Sequence, residues 1–137
     1  KEQVSPPPAE RSKIIKFVDD VPEYDIPSSA GTGQFLDMSP YHMVTLREDE
    51  PQETSFIVPV RGDSMEPTIY DGDKIYIKQQ PEIRLGDIGL FMIDGSVYVK
   101  ELAADGLISH NPKYDKIEFT PNTSIYCYGR FLGVRHI

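Results

Sequence analysis

The chain has 137 residues, with 14 Lys plus Arg against 22 Asp plus Glu, a formal charge of −8 at pH 7. That length fits one domain with a tail, and the acidic balance argues against this segment gripping phosphate backbones. Hydrophobic residues make up 39%, enough for an ordinary globular core, and no apolar window is long enough for a membrane-spanning helix or a signal-peptide core.

Residues 1–27 read as a linker and N-terminal arm. Lys1 stands where a Met is expected, which points to a fragment or a processed chain. Pro6, Pro7 and Pro8 favour an extended linker. Ile14, Ile15, Phe17 and Val18 suit either a short strand or a docked segment. The rest of 14–41 is read as mostly irregular, because Pro22, Pro27, Ser28, Ser29, Gly31, Gly33 and Pro40 break any regular element. A loop of that length inside a small domain is often functional.

From about residue 42 the pattern turns to β. Strands are predicted over His42–Arg47, Ser55–Arg61, Lys74–Lys78, Asp87–Ile93, Ser96–Leu102, Gly106–His110, Lys116–Thr120 and Ser124–His136. Asp94-Gly95 falls between two of them and predicts a tight hairpin, since both residues tolerate positive φ. Met65–Tyr70 and Gln79–Leu85 leave room for a turn or two, and no amphipathic helix of ordinary length is present. The predicted fold is mainly β, rolled and partly barrel-like, with a long N-terminal arm.

Two segments carry chemistry. Gly62-Asp63-Ser64-Met65-Glu66-Pro67-Thr68 follows a strand, so Ser64 can present its hydroxyl and its backbone N–H together. Val97-Tyr98-Val99-Lys100-Glu101 lies inside a strand. A serine hydroxyl is a weak nucleophile until a base takes its proton, and lysine is charged at neutral pH unless burial disfavours the charge. Val97 and Val99 are placed to supply that dry setting, with Tyr98 as a wall. The bland alternative is that Ser64 caps a turn and Lys100 is solvated or paired with Glu101 or Glu66.

The stretch GDSMEPTIYDGDKIYI, then GDIGLFMIDGSVYVKEL, resembles the catalytic domain of the LexA/phage-repressor/UmuD family of self-cleaving serine peptidases. Asn111-Pro112 and the run Tyr128–Val134 resemble its C-terminal strands, and the resemblance covers about residues 28–137. It implies a LexA/signal-peptidase-type β fold in which Ser64 is the nucleophile and Lys100, 36 residues later, the base. It also implies a scissile Ala-Gly bond upstream of the serine, and Ala30-Gly31 within PSSAGTG answers to that. Backbone N–H groups of Asp63 and Ser64 would then hold the oxyanion. Residues 28–137 become a self-cleavage and dimerisation domain needing no cofactor or metal. Its implied partners are a second copy, a RecA filament as activator, and DNA only through an absent N-terminal helix-turn-helix domain. Repression in the DNA-damage (SOS) response would end when the chain cuts itself.

Two relatives in chemistry compete. A UmuD-like polymerase subunit shares the dyad without the DNA-binding half. A signal peptidase shares Ser-Met-x-Pro-Thr and a strand lysine, but is membrane-anchored.

Other residues have plainer readings. Arg61-Gly62-Asp63 is a chance triplet, and Asp71-Gly72-Asp73 a turn, since the further ligands of a calcium loop are missing. His42, His110 and His136 show no metal-ligand spacing. Cys127, the single cysteine, excludes a disulfide framework, fits a cytoplasmic, reducing compartment, and is expected as a small core residue. Residues 124–135 are expected to offer an edge strand for dimerisation.

Overall fold

Alternation of apolar side chains along short segments builds one mixed sheet. The computed structural model describes residues 20–25 and 40–136. Its strands are β1 (Asp20–Tyr24), β2 (Tyr41–Thr45), β3 (Phe56–Pro59), β4 (Lys74–Gln79), β5 (Ile88–Ile93), β6 (Ser96–Ala103), β7 (Gly106–Ile108), β8 (Ile117–Glu118) and β9 (Ile125–Val134). They pair in the order β2-β1-β3-β4-β9-β5-β6-β7-β8, an open sheet that does not close on itself. There is no helix among the described residues. The mainly β expectation holds, and every predicted strand has a counterpart within a few residues.

The two faces of the sheet separate cleanly. Phe56, Val58, Ile75, Ile77, Leu90, Met92, Val97 and Val99 point into the main core, joined by Met65 and Ile69 from the loop after β3. The intervening residues Ile57 and Tyr76 build a second cluster, and Phe91, Ile93 and Leu107 a third, on the opposite face. Period-2 patterning thus fixes which way each strand faces. At the predicted hairpin, Ile93 pairs with Ser96, while Asp94 and Gly95 both take positive φ, 48° and 88°.

Two expectations need correction. Residues 20–24 lie in a stretch read as irregular, yet they form β1, antiparallel to β2 and bridged in parallel to β3 at Glu23–Ile57. Pro22 and the surrounding acids mask the strand. Val21 and Tyr24 anchor it by burial, and Glu23 is buried with Lys74 Nζ at 2.5 Å and Arg135 Nη1 at 3.3 Å.

β9 is likewise not a marginal strand. Its first part, from Ile125 to Arg130, pairs with β5, and its last part, from Gly129 to Val134, with β4. Expecting it at the edge failed because a bulge on each side lets one long strand serve two neighbours.

Gly129 sits where those two pairings overlap. A Cβ there would stand 2.3 Å from the Lys78 carbonyl oxygen and 2.8 Å from the Ile77 side chain. Gly129→Ala is therefore expected to lower stability by about 1–3 kcal/mol. Urea denaturation checks this: the midpoint should fall with an unchanged slope, and an unmoved midpoint would show that β4 and β9 can separate freely.

Candidate active site

Ser64 enters the site on a loop that the main core pulls inward. Met65, directly after it, is 1% exposed, and Ile69 is fully buried. Gly62 takes φ 94°, a conformation L side chains rarely adopt, and its N–H donates to Asp71 Oδ1 at 2.7 Å. Asp71-Gly72-Asp73 thus acts as the expected turn, bracing the serine loop.

Lys100 enters from β6. Its flanking Val97 and Val99 are 3% and 5% exposed, and Lys100 itself is only 5% exposed. The β6–β7 register pairs Glu101 with Ile108, which brings Ser109 across from Lys100. There Lys100 Nζ donates to Ser109 Oγ at 2.7 Å. Its other near neighbours are aromatic rings, with the Tyr98 and Tyr114 centroids at 5.6 and 5.7 Å. Burial pushes the amine below the ordinary lysine range, and no neighbouring carboxylate opposes the shift.

Both residues line a single cavity of about 320 Å³, with Val60, Met65, Tyr98 and Ser109 among its walls. Tyr98 therefore stands where the sequence placed it. In this arrangement the amine gives its hydrogen bond to Ser109. The carbonyls of Asp63 and Ser64 are taken: Asn111 Nδ2 donates to the Asp63 oxygen at 3.0 Å and Asn111 N to the Ser64 oxygen at 2.9 Å.

The segment from Ser109 to Tyr114 clamps the site. His110 joins Thr68 through Nδ1 (2.5 Å) and Glu101 through Nε2 (2.8 Å). A carboxylate only accepts, so Nε2 donates to Glu101, while Nδ1 and the Thr68 hydroxyl share the second bond. Asp63 Oδ2 meets Lys113 Nζ at 2.8 Å, and Oδ1 accepts from the Tyr114 hydroxyl. Sequence reading missed Ser109, His110 and Tyr114 as site residues. The polar run Ser109-His110-Asn111-Pro112-Lys113-Tyr114 beside a short apolar strand was the available signal.

Ala30-Gly31 lies outside the described residues, as do Ile14–Val18. Its flanking segments are described, and they are fastened together. The Asp25 N–H donates to the Pro40 oxygen at 3.0 Å, and the Tyr24 and Tyr41 rings lie 5.6 Å apart. Tyr24 also belongs to the core cluster that holds Met65.

The remaining candidates stay ordinary. Cys127 is half-buried against the third cluster, and burial pushes its thiol up. Among the described residues no group of His, Cys, Asp and Glu could hold a metal ion. No helix among them is long and apolar enough to cross a membrane.

Residues 22–132 match the model of the peptidase S24-like family. Similar proteins include a LexA repressor of Nocardioides sp., 48% identical over 73 residues, covering 50% of this chain and 30% of that protein. LexA repressor 2 of Pseudomonas putida is 37% identical over 84 residues, covering 58% of this chain and 42% of that one. A LexA repressor of Acidothermus cellulolyticus is 40% identical over 86 residues, covering 59% and 30%. The matched part is thus less than half the length of each of these relatives.

A buried amine held by one neutral hydroxyl is a local cost to folding. Lys100→Met should therefore raise stability by roughly 1–3 kcal/mol near neutral pH. The sign with pH follows from the lowered folded-state value. The penalty is full below that value, where both states carry the proton but only the folded one must bury the charge, and it shrinks between the two values, where the unfolded chain keeps a proton that the folded one has lost. It disappears as pH rises through the unfolded lysine value of 10.5. Thermal or urea unfolding of both chains should show the Met advantage shrinking towards alkaline pH; a pH-independent difference would refute the buried-amine account.

Proposed function

The chain belongs to the peptidase S24-like family, and from there we propose that it is the self-cleaving regulatory domain of a LexA-type repressor. In this reading residues 1–27 are linker and arm, the arm ending in β1, and residues 28–137 are the cleavage and dimerisation domain. The observation that carries the reading is a desolvated lysine amine opening onto the same cavity as a loop serine.

The chemistry is acyl transfer. Neutral Lys100 takes the Ser64 hydroxyl proton as Oγ forms a bond to the Ala30 carbonyl carbon. In this proposal the backbone N–H groups of Asp63 and Ser64 hold the oxyanion. The tetrahedral adduct collapses by breaking the Ala30–Gly31 bond, and the Lys100 ammonium gives its proton to the departing Gly31 amine. Water then hydrolyses the ester, with Lys100 again as base. Ser109 holds the amine inside the cavity without supplying a negative charge, so the neutral form stays accessible. Because site and substrate share one chain, the reaction is first order.

The fastening of Asp25 to Pro40 supports the role of the intervening segment as substrate, since it sets the ends of that segment beside the core that carries Ser64. A partner that favours the docked segment would activate cleavage by shifting a population. A RecA filament is the activator this reading names. Cleavage would detach a preceding DNA-binding, helix-turn-helix half from a domain that pairs with a second copy, and so end repression in the DNA-damage (SOS) response in the cytoplasm. The names of the similar proteins favour a repressor over a UmuD-like polymerase subunit or a signal-peptidase-like protease.

Incubation at about pH 10 tests the proposal. The wild-type chain should fall into fragments of 30 and 107 residues, at a rate independent of protein concentration. Ser64→Ala and Lys100→Ala should each remain intact by mass spectrometry. An intact wild type, or a mutant that still cleaves, would overturn the dyad.

A further inference from the structure

The proposed base works only while no negative charge stabilises its protonated form, yet a carboxylate sits next to the nucleophile. Asp63 lines the same cavity as Lys100. The acid is bound on both oxygens, by Lys113 at 2.8 Å and by the Tyr114 hydroxyl. The Tyr114 ring stands within reach of both amines, with Lys100 Nζ 5.7 Å and Lys113 Nζ 5.5 Å from its centroid. Two lysines and one aspartate are thus arranged around a single tyrosine, and only Lys113 pairs with the acid.

We infer that Lys113 is a positioning residue: by holding and neutralising Asp63, it sets the pH at which the Lys100 amine loses its proton. The inference rests on the dyad reading for its link to cleavage, while its electrostatic content does not.

The groups facing Lys100 can be taken element by element. The loop after β3 brings Arg61 and Asp63, β6 brings Tyr98, and the loop after β7 brings Tyr114 and Asp115. β5 places Gly89 opposite and brings no charge. Glu101, the next residue along β6, is engaged by His110. Asp63 is the acid that touches the same tyrosine as Lys100. Its carboxyl is held below the ordinary range, first by Lys113 and then by the Tyr114 hydroxyl, and the Lys113 ammonium is held up in return, first by Asp63.

Without the Lys113 charge, Asp63 becomes a net anion at the wall of the cavity and a repelling cation disappears. Both changes favour protonated Lys100. Lys113 is largely exposed, so replacing it does not threaten the fold.

The test is an NMR titration of the Lys100 ε-methylene at low salt in the full chain carrying Ser64→Ala, which keeps the chain whole. Lys113→Met should move the Lys100 midpoint upward by roughly half a pH unit, the scale of one charge acting across a partly aqueous gap. Asp63→Asn should move it downward, the double variant should return towards the parent, and Lys113→Arg should leave it in place. An unmoved midpoint in Lys113→Met, or an equal shift in Lys113→Arg, overturns the inference. The same Lys113 substitutions in the Ser64 chain report on cleavage separately. A wild type that never cleaves defeats the dyad reading while the titration still decides the role of Lys113.

Discussion

One hydrogen bond, from the Lys100 amine to the Ser109 hydroxyl, is the constraint around which the rest of the site is arranged. An ammonium ion removed from water would ordinarily be matched by a carboxylate, and such a match would fix it in the charged form. Here the partner is neutral. It satisfies one N–H and orients the amine while doing little to restore the charge that burial disfavours. The fold accepts an uncomfortable group, a pattern associated with functional sites rather than with optimised packing.

The sheet supplies what that arrangement requires. The β6–β7 register puts Ser109 across from Lys100, and the main core draws in Met65 and Ile69 so that Ser64 meets the same cavity. The segment from Ser109 to Tyr114 then ties the serine loop to β6 through Asn111 and His110. Two of the neighbouring acids are occupied, Asp63 by Lys113 and Tyr114 and Glu101 by His110. On the far side of the sheet, Arg135 joins buried Glu23 and Glu50, tying β1 to the chain's end. β1 leads into the stretch containing Ala30-Gly31, so this distant network bears on how the proposed substrate is tethered.

Much of this was legible in the residues. Alternation at Lys74–Lys78 and Ser96–Leu102 reports which residues face the main core, and Asp94-Gly95 reports the turn. That Ser64 and Lys100 meet at one cavity was legible because the motifs around them are specific in combination. β1 was not, since Pro22 and three acids within Asp20–Asp25 argue against a strand, and only tertiary burial of Val21 and Tyr24 overrides them. Ser109 was hidden for a subtler reason. The predicted strands Ser96–Leu102 and Gly106–His110 do not fix the centre of the turn between them, and a turn on Asp105-Gly106 would set Asn111 opposite Lys100. The observed turn is centred one residue earlier, on Ala104-Asp105, with Ala103 paired to Gly106. That slip decides which polar side chain meets the amine, and composition does not reveal it.

The most direct test sets two curves side by side: the first-order rate of self-cleavage against pH, and the protonation of Lys100 followed in the intact Ser64→Ala chain. The account predicts that they share a midpoint below 10.5, the ordinary lysine value. A rate that climbs at a different pH from the amine, or an amine that titrates as an exposed lysine does, would contradict it.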